Sequence, residues 1–213
     1  MKFIKWLVGI ILLLAVVVFG GGLLLKDDVH VERSVRIDRP PAEVYRLLLN
    51  MQRFNEWSPW RDYDATATQQ FSGPPSGVGA KLAWQGDKGS GAMEIIDAVE
   101  NAQITLALDF GADGKATSKY LLSGTGEGTE LRWVFDYNVE GDLIGRWFGL
   151  MMDSMIGPQY ERGLADLKKL AESEPLPAPA PIEDEASADP AADQQGEQPA
   201  GEESAEQDEA AAG

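Results

Sequence analysis

The chain of 213 residues contains no cysteine and a single histidine, His30. Without a thiol there is no disulfide framework, no zinc finger, no thiolate nucleophile and no acylated lipoprotein anchor, because each requires a sulfur atom. One imidazole does not furnish the two or three of a typical transition-metal site, so neither a metal nor a cofactor is expected. Basic residues are also scarce: 18 Lys and Arg stand against 35 Asp and Glu, for a formal net charge of −17. That balance argues against nucleic acid as a partner, since phosphate binding rests on clustered Lys and Arg. The deficit is uneven. Residues 173–213 hold 12 of the acids and no Lys or Arg, which leaves 23 acids against all 18 bases in residues 1–172.

Charge is also missing from Trp6 to Leu25, a run of 20 residues reading WLVGIILLLAVVVFGGGLLL. At a rise of about 1.5 Å per residue such a helix spans the roughly 30 Å hydrocarbon core of a bilayer. Lys2, Lys5 and the terminal amine precede it, whereas Lys26 is followed at once by Asp27 and Asp28. The Lys/Arg bias therefore puts residues 1–5 in the cytoplasm and the rest of the chain outside it. The expectation is a single-pass signal anchor in the cytoplasmic (inner) membrane, with domain and tail extracytoplasmic, periplasmic in a Gram-negative cell. A cleaved signal peptide is the competing reading, since Gly20 and Gly22 are small enough for processing. The apolar run exceeds the usual h-region, however, and Leu23 to Leu25 continue it.

At the other end, residues 173–213 mix Pro175, Pro177, Pro179, Pro181, Pro190 and Pro199 with Ala, Glu, Asp and Gln, and Ile182 is the last large aliphatic residue. Such a composition buries too little apolar surface to offset its ordering entropy, so a disordered acidic tail is expected, beginning with an extended Pro175–Pro181 spacer. A protein partner for this tail stays unidentified; a solvated tail without one is the simpler account.

Residues 29–172 remain, the size of one domain with one core. Val29, Val31, Val35 and Ile37 alternate with polar residues, the period of a half-buried strand. Asp38 is expected to cap a following helix that starts around Pro40 and Pro41 and buries Ala42, Val44, Leu47, Leu48 and Met51, with Phe54 and Trp57 on a second short helix. From Thr66 the glycine-rich segments FSGPPSGVGA, GDKGSG, GADG and SGTGEG punctuate runs of strand length, predicting six further strands in an antiparallel meander. Their inward sets read Leu82 and Trp84; Met93 and Ile95; Ile104, Leu106, Leu108 and Phe110; Tyr120 and Leu122; Leu131, Trp133, Phe135 and Tyr137. Asp142 to Leu170 reads as a helix whose stripe is Phe148, Met152, Met155, Ile156, Tyr160, Leu164 and Leu167, with Pro158 kinking it or starting a second helix.

Short motifs add little. Asp62-Tyr63-Asp64 lacks the Gly and Glu of a calcium loop, Gly124, Gly126 and Gly128 mark a hairpin, and Asp109-Phe110-Gly111 has none of the companions of a kinase. Nucleophilic catalysis requires a nucleophile within reach of a histidine, and His30 faces opposite to the apolar set, as an exposed side chain does. Of the strand acids, Glu94, Asp109 and Asp136 alternate outward, which leaves Asp97 as the inward carboxylate.

The order of strand, two short helices, six strands and long helix, with RSVRIDRPPAEVY, the Trp57-Ser58-Pro59-Trp60 run, Gly77-Val78-Gly79-Ala80, the strand Gly128–Trp133 and the closing MIGPQYERGLADLKKL, resembles the START-like SRPBCC superfamily. Within it the chain is most similar to membrane-anchored proteins of the polyketide cyclase/dehydrase type. The resemblance implies an α+β helix-grip fold: a curved antiparallel sheet of about seven strands wrapped around a long C-terminal helix, here preceded by one transmembrane helix. It also implies an apolar cavity for a hydrophobic small molecule such as a lipid or polyketide. Trp84, Met93, Leu106, Tyr120, Trp133, Phe135, Tyr137, Met152, Met155 and Ile156 are the expected lining, and Trp57 and Trp60 the expected mouth. Core packing competes with cavity lining for each of these residues, and a plug role competes with a gate for the two tryptophans. A carrier or sensor of that ligand is the leading functional expectation. The alternatives are a cyclase or dehydratase using Asp97, Tyr120 or Tyr137 as acid or base, and a cell-envelope interaction module.

Overall fold

The structure, a computed structural model, describes residues 2–126 and 128–175. The acidic tail lies outside the described residues from position 176 onward. Helix α1 (Lys2–Leu24) is apolar on every side and stops where Lys26, Asp27 and Asp28 follow. It is long and apolar enough to cross a membrane.

Strand β1 (Asp28–Ile37) follows directly, and α2 (Pro41–Leu49) buries Val44, Leu47 and Leu48. Asp38 does not cap α2. Pro40 occupies the cap position in an extended conformation without a side-chain hydrogen bond, because its ring carries no acceptor and Asp38 lies two residues too early. A 3₁₀ turn (Met51–Arg53), the one-turn helix α3 (Phe54–Trp57) and a second 3₁₀ turn (Pro59–Asp62) then cross the sheet. Asn50 and Ser58 start these turns by accepting hydrogen bonds from the amides of Gln52 and Trp60.

The meander comprises β2 (Thr68–Ser72), β3 (Lys81–Gly86), β4 (Gly89–Val99), β5 (Gln103–Asp109), β6 (Lys115–Thr125) and β7 (Gly128–Asn138). With β1 they form one seven-stranded antiparallel sheet in the order β1-β7-β6-β5-β4-β3-β2, so β1 closes onto the last strand of the chain. Helix α4 (Leu143–Ser173) is capped by the Asp142 carboxylate, which accepts from the Ile144 amide at 3.0 Å. It runs unbroken through Pro158, which neither ends it nor starts a second helix. Proline removes one backbone donor, and the packing of Gly157 just before it and of Tyr160, Leu164 and Leu167 beyond it holds the helix together across that gap.

The inward strand residues expected from alternation form the core, with α2, α3 and the second half of α4 as its cover. One stretch departs from alternation. Between Ile95 and Asp97 the β4–β5 register shifts by one residue, a β-bulge that turns Asp97 to the outer face, where it is exposed and lies 3.5 Å from the Gln103 amide. The carboxylate expected inside is therefore outside, because one extra residue inverts a period of two.

Candidate functional site

The concave face of the sheet is closed at one end and open at the other. Toward the end of β1, the start of β7 and the end of β6, the side chains of Ile37, Leu131, Leu122 and Ile104 are sealed from solvent. Toward the start of β1, the face is finished by Tyr137 near the end of β7, Leu108 and Phe110 at the end of β5, and Trp84 near the end of β3. These four are half-buried while packing against the core, as are Met152 and Ile156 on the first half of α4. Trp84 meets Phe110 edge-on at 5.9 Å. It lies across Gly91, where a Cβ would fall 2.5 Å from its ring. Glycine there is what lets the indole flatten against the sheet.

Between the two ends sits an aromatic cluster. Trp133 stacks on Tyr160 of α4 with centroids 3.8 Å apart, and Trp57 meets Trp133 and Tyr120 edge-on at 5.4 and 5.9 Å. Ser118 accepts from the Trp133 indole N–H at 2.9 Å and donates to the Val134 carbonyl at 3.0 Å. Burial pushes the Tyr120 hydroxyl well above its ordinary pKa, and burial, as the chief cause, raises Tyr160 as well. Both phenols are thus neutral, and the interior of the grip carries no charge there. The Trp57 indole N–H is buried without a protein acceptor.

The structure places the expected site residues unequally. Met93, Leu106, Tyr120, Trp133 and Phe135 are buried in the core, while Trp84, Tyr137, Met152 and Ile156 form the half-buried open end. Trp57, expected at a mouth, is 1% exposed and sits as a plug under α4; Trp60 is half-buried against Tyr63. Met155 and Phe148, expected on the inward stripe of α4, point away from the body at 57% and 61% exposure. The side of α4 that packs on the body is marked by glycines instead. At Gly149 a Cβ would clash with Val29, and at Gly163 with Trp133 and Pro59, so the close approach belongs to the small residues and the large ones opposite stay outside. That glycine pattern was the available sequence signal.

Asp97, Tyr120 and Tyr137 are not brought together: the first is on the outer face, the second in the cluster, and the third at the open end with its hydroxyl donating to the Asp113 carbonyl at 3.2 Å. His30 is exposed on the outer face, paired with Asp136 at 2.7 Å. Beside it an open groove of about 420 Å³ crosses the ends of β1, β7 and β6. Its polar walls, including Thr117 and Asp136, alternate with the concave row and so belong to the outer face. Among the described residues no group of three His, Cys, Asp or Glu side chains is disposed to hold a metal ion.

A family model described as "Polyketide cyclase / dehydrase and lipid transport" matches residues 28–172. Among solved structures, a crystal structure of a Chromobacterium violaceum protein superposes with a TM-score of 0.52 at 16% identity, over 68% of this chain and 99% of that one. A solution NMR structure of a Thermobifida fusca protein does so with a TM-score of 0.53 at 15% identity, over 67% and 92%. At these identities the likeness establishes the fold, a helix-grip. The comparison with curated proteins returned no match.

Proposed function

The chain belongs to the polyketide cyclase/dehydrase and lipid transport family, and from that premise we propose that it is a membrane-tethered domain that binds a neutral, hydrophobic small molecule at the open end of its grip. The observation that carries this reading is the graded burial of the concave face. Its closed end is packed to completion, whereas Trp84, Leu108, Phe110, Tyr137, Met152 and Ile156 leave a half-buried apolar lip between the sheet and α4. Concave apolar surfaces with few polar groups suit ligands of low polarity. The phenols of Tyr120 and Tyr160, held neutral by burial, disfavour an ionic one. One methionine of α4, Met152, sits at the lip with enough side-chain freedom to adapt to more than one shape. The tether is α1, whose length and composition suit a membrane span.

The test is chemical. The full chain is purified in nanodiscs of defined synthetic phospholipid and extracted with organic solvent. A compound other than the added lipid, present near one per chain and lost in Phe110→Asp and Met152→Asp variants that stay folded by circular dichroism, supports the reading. An extract holding only the added lipid, from protein that also fails to bind an apolar fluorescent probe displaceably, defeats it.

A further inference from the structure

The first half of α4 presents a face that the body of the domain leaves bare. Ile144, Phe148, Met151 and Met155 recur at intervals of four, three and four, which at roughly 3.6 residues per turn stacks them on one side of the helix. They are 59%, 61%, 54% and 57% exposed. The same side continues in the second half as Arg162, Asp166 and Lys169, so it changes from apolar to charged along a single helix. Between Leu143 and Gly157 the charged residues are Arg146 and Asp153, and the helical period puts neither on this side. Arg146 Nε donates to Asp27 Oδ1 at 2.7 Å, and Arg33 Nη1 donates to Asp153 Oδ1 at 2.8 Å. The bare stripe is thus uncharged, flanked by charges that are already paired.

The apolar half is also the half that touches α1. Trp147 Nε1 donates to the Val18 carbonyl at 3.0 Å, and Arg146 Nη1 donates to the Gly22 carbonyl at 2.9 Å. A Cβ on Gly21 would lie 2.6 Å from the Trp147 ring, so glycine at that point admits the indole against the helix. Val18 precedes the end of α1 by about 9 Å along the axis at the usual helical rise. With Trp6–Leu25 filling the hydrocarbon core, Trp147 therefore stands within about 10 Å of its outer edge, among the upper acyl chains just beneath the headgroups, and the stripe begins beside it at Ile144 and Phe148.

We propose that the first half of α4 is an interfacial membrane segment, with Ile144, Phe148, Met151 and Met155 seated among the headgroups and upper acyl chains of the bilayer that α1 crosses. The partner is a lipid surface, and the proposal rests on the tethering reading above. An interfacial helix buries its apolar face about 5–10 Å into this layer, which matches the depth set by the Trp147 contact. The open end of the grip lies at the start of β1, the same end from which α1 departs. A hydrophobic ligand then passes between bilayer and grip over a short apolar path.

The absence of cysteine makes the test direct. Full chains carrying one substitution each, Leu13→Cys in α1, Phe148→Cys, Met151→Cys, and Ser123→Cys on the outer face of β6, are labelled with an environment-sensitive fluorophore. They are reconstituted into vesicles of phosphatidylcholine and phosphatidylglycerol containing nitroxide-labelled lipid. The expected result is strong quenching at positions 13, 148 and 151, several-fold above that at 123. Quenching at 13 with positions 148 and 151 no different from 123 overturns the interfacial placement and leaves the tether standing. Failure of quenching at 13 removes the tether, and the proposal with it.

Discussion

The Trp57 indole touches Phe54, Tyr120 and Trp133 edge-on and joins α3, the sheet and α4 at one point. Truncating so large a buried side chain removes its transfer energy and leaves a cavity, so Trp57→Ala is expected to lower stability by about 3–5 kcal/mol in denaturant unfolding of the full chain. Ser118 is smaller but is held in place by two hydrogen bonds. Ser118→Ala leaves the buried Trp133 N–H without its acceptor and is expected to cost about 1–3 kcal/mol by the same measurement, with little change in shape. At this scale the sequence was informative about which residues are buried and weak about what they do. Alternation identified Trp133, Tyr120 and Ile104 as inward, because a strand side chain has two faces to choose between. Trp57 lies on a single helical turn, too short to show a period, and Asp97 was inverted by a bulge that leaves no composition signal.

Among the elements, α4 divides at Pro158. Its second half supplies the buried Gly157, Tyr160, Gly163, Leu164, Leu167 and Ala171, while no residue from Leu143 to Ile156 is fully buried. Pro158 is exposed and withholds one backbone hydrogen bond within the helix. Pro158→Ala is expected to restore that bond and raise the thermal midpoint, by an amount bounded by the helix-interior penalty of about 3 kcal/mol. The first half is tied back by carboxylates with depressed pKa values. The hydrogen bond from Arg146, the chief cause, holds Asp27 below the ordinary aspartate value of 3.8. Asp153 is lowered from the same value, chiefly by its hydrogen bond with Arg33. A depressed folded pKa gives a contribution that is complete above the unfolded value and lost as pH falls through the folded one. The thermal midpoint is therefore expected to drop on acidification below about pH 4, and Asp27→Asn with Asp153→Asn to blunt that drop while lowering the midpoint at neutral pH. The helical period of α4 was legible, but its inward direction was misassigned at Phe148 and Met155. Large apolar residues surround the first half, and only contact with β1 and α1 chooses among them.

For the whole molecule, the sheet, α2, α3 and the second half of α4 make a grip sealed at one end, and the lip at the other end lies where α1 joins β1. Residues 177–213 contain Ile182 as their one large aliphatic side chain, so ending the chain after Leu176 is expected to change unfolding stability by no more than about 0.5 kcal/mol, measured in denaturant on otherwise identical protein. The apolar span, the seven strands with their inward faces apart from the bulge in β4, the closing helix and the family were all determined by the sequence on its own. Each depends on local composition, on periods of two and about 3.6, and on the order of segments along the chain. Which end of the grip stays open, that Trp57 is buried between its two ends, and which face of α4 is left beside α1 were decided by tertiary structure alone. These features follow from the register between strands distant in sequence and from glycine contacts that set how closely α4 approaches β1 and α1, and no local period encodes either.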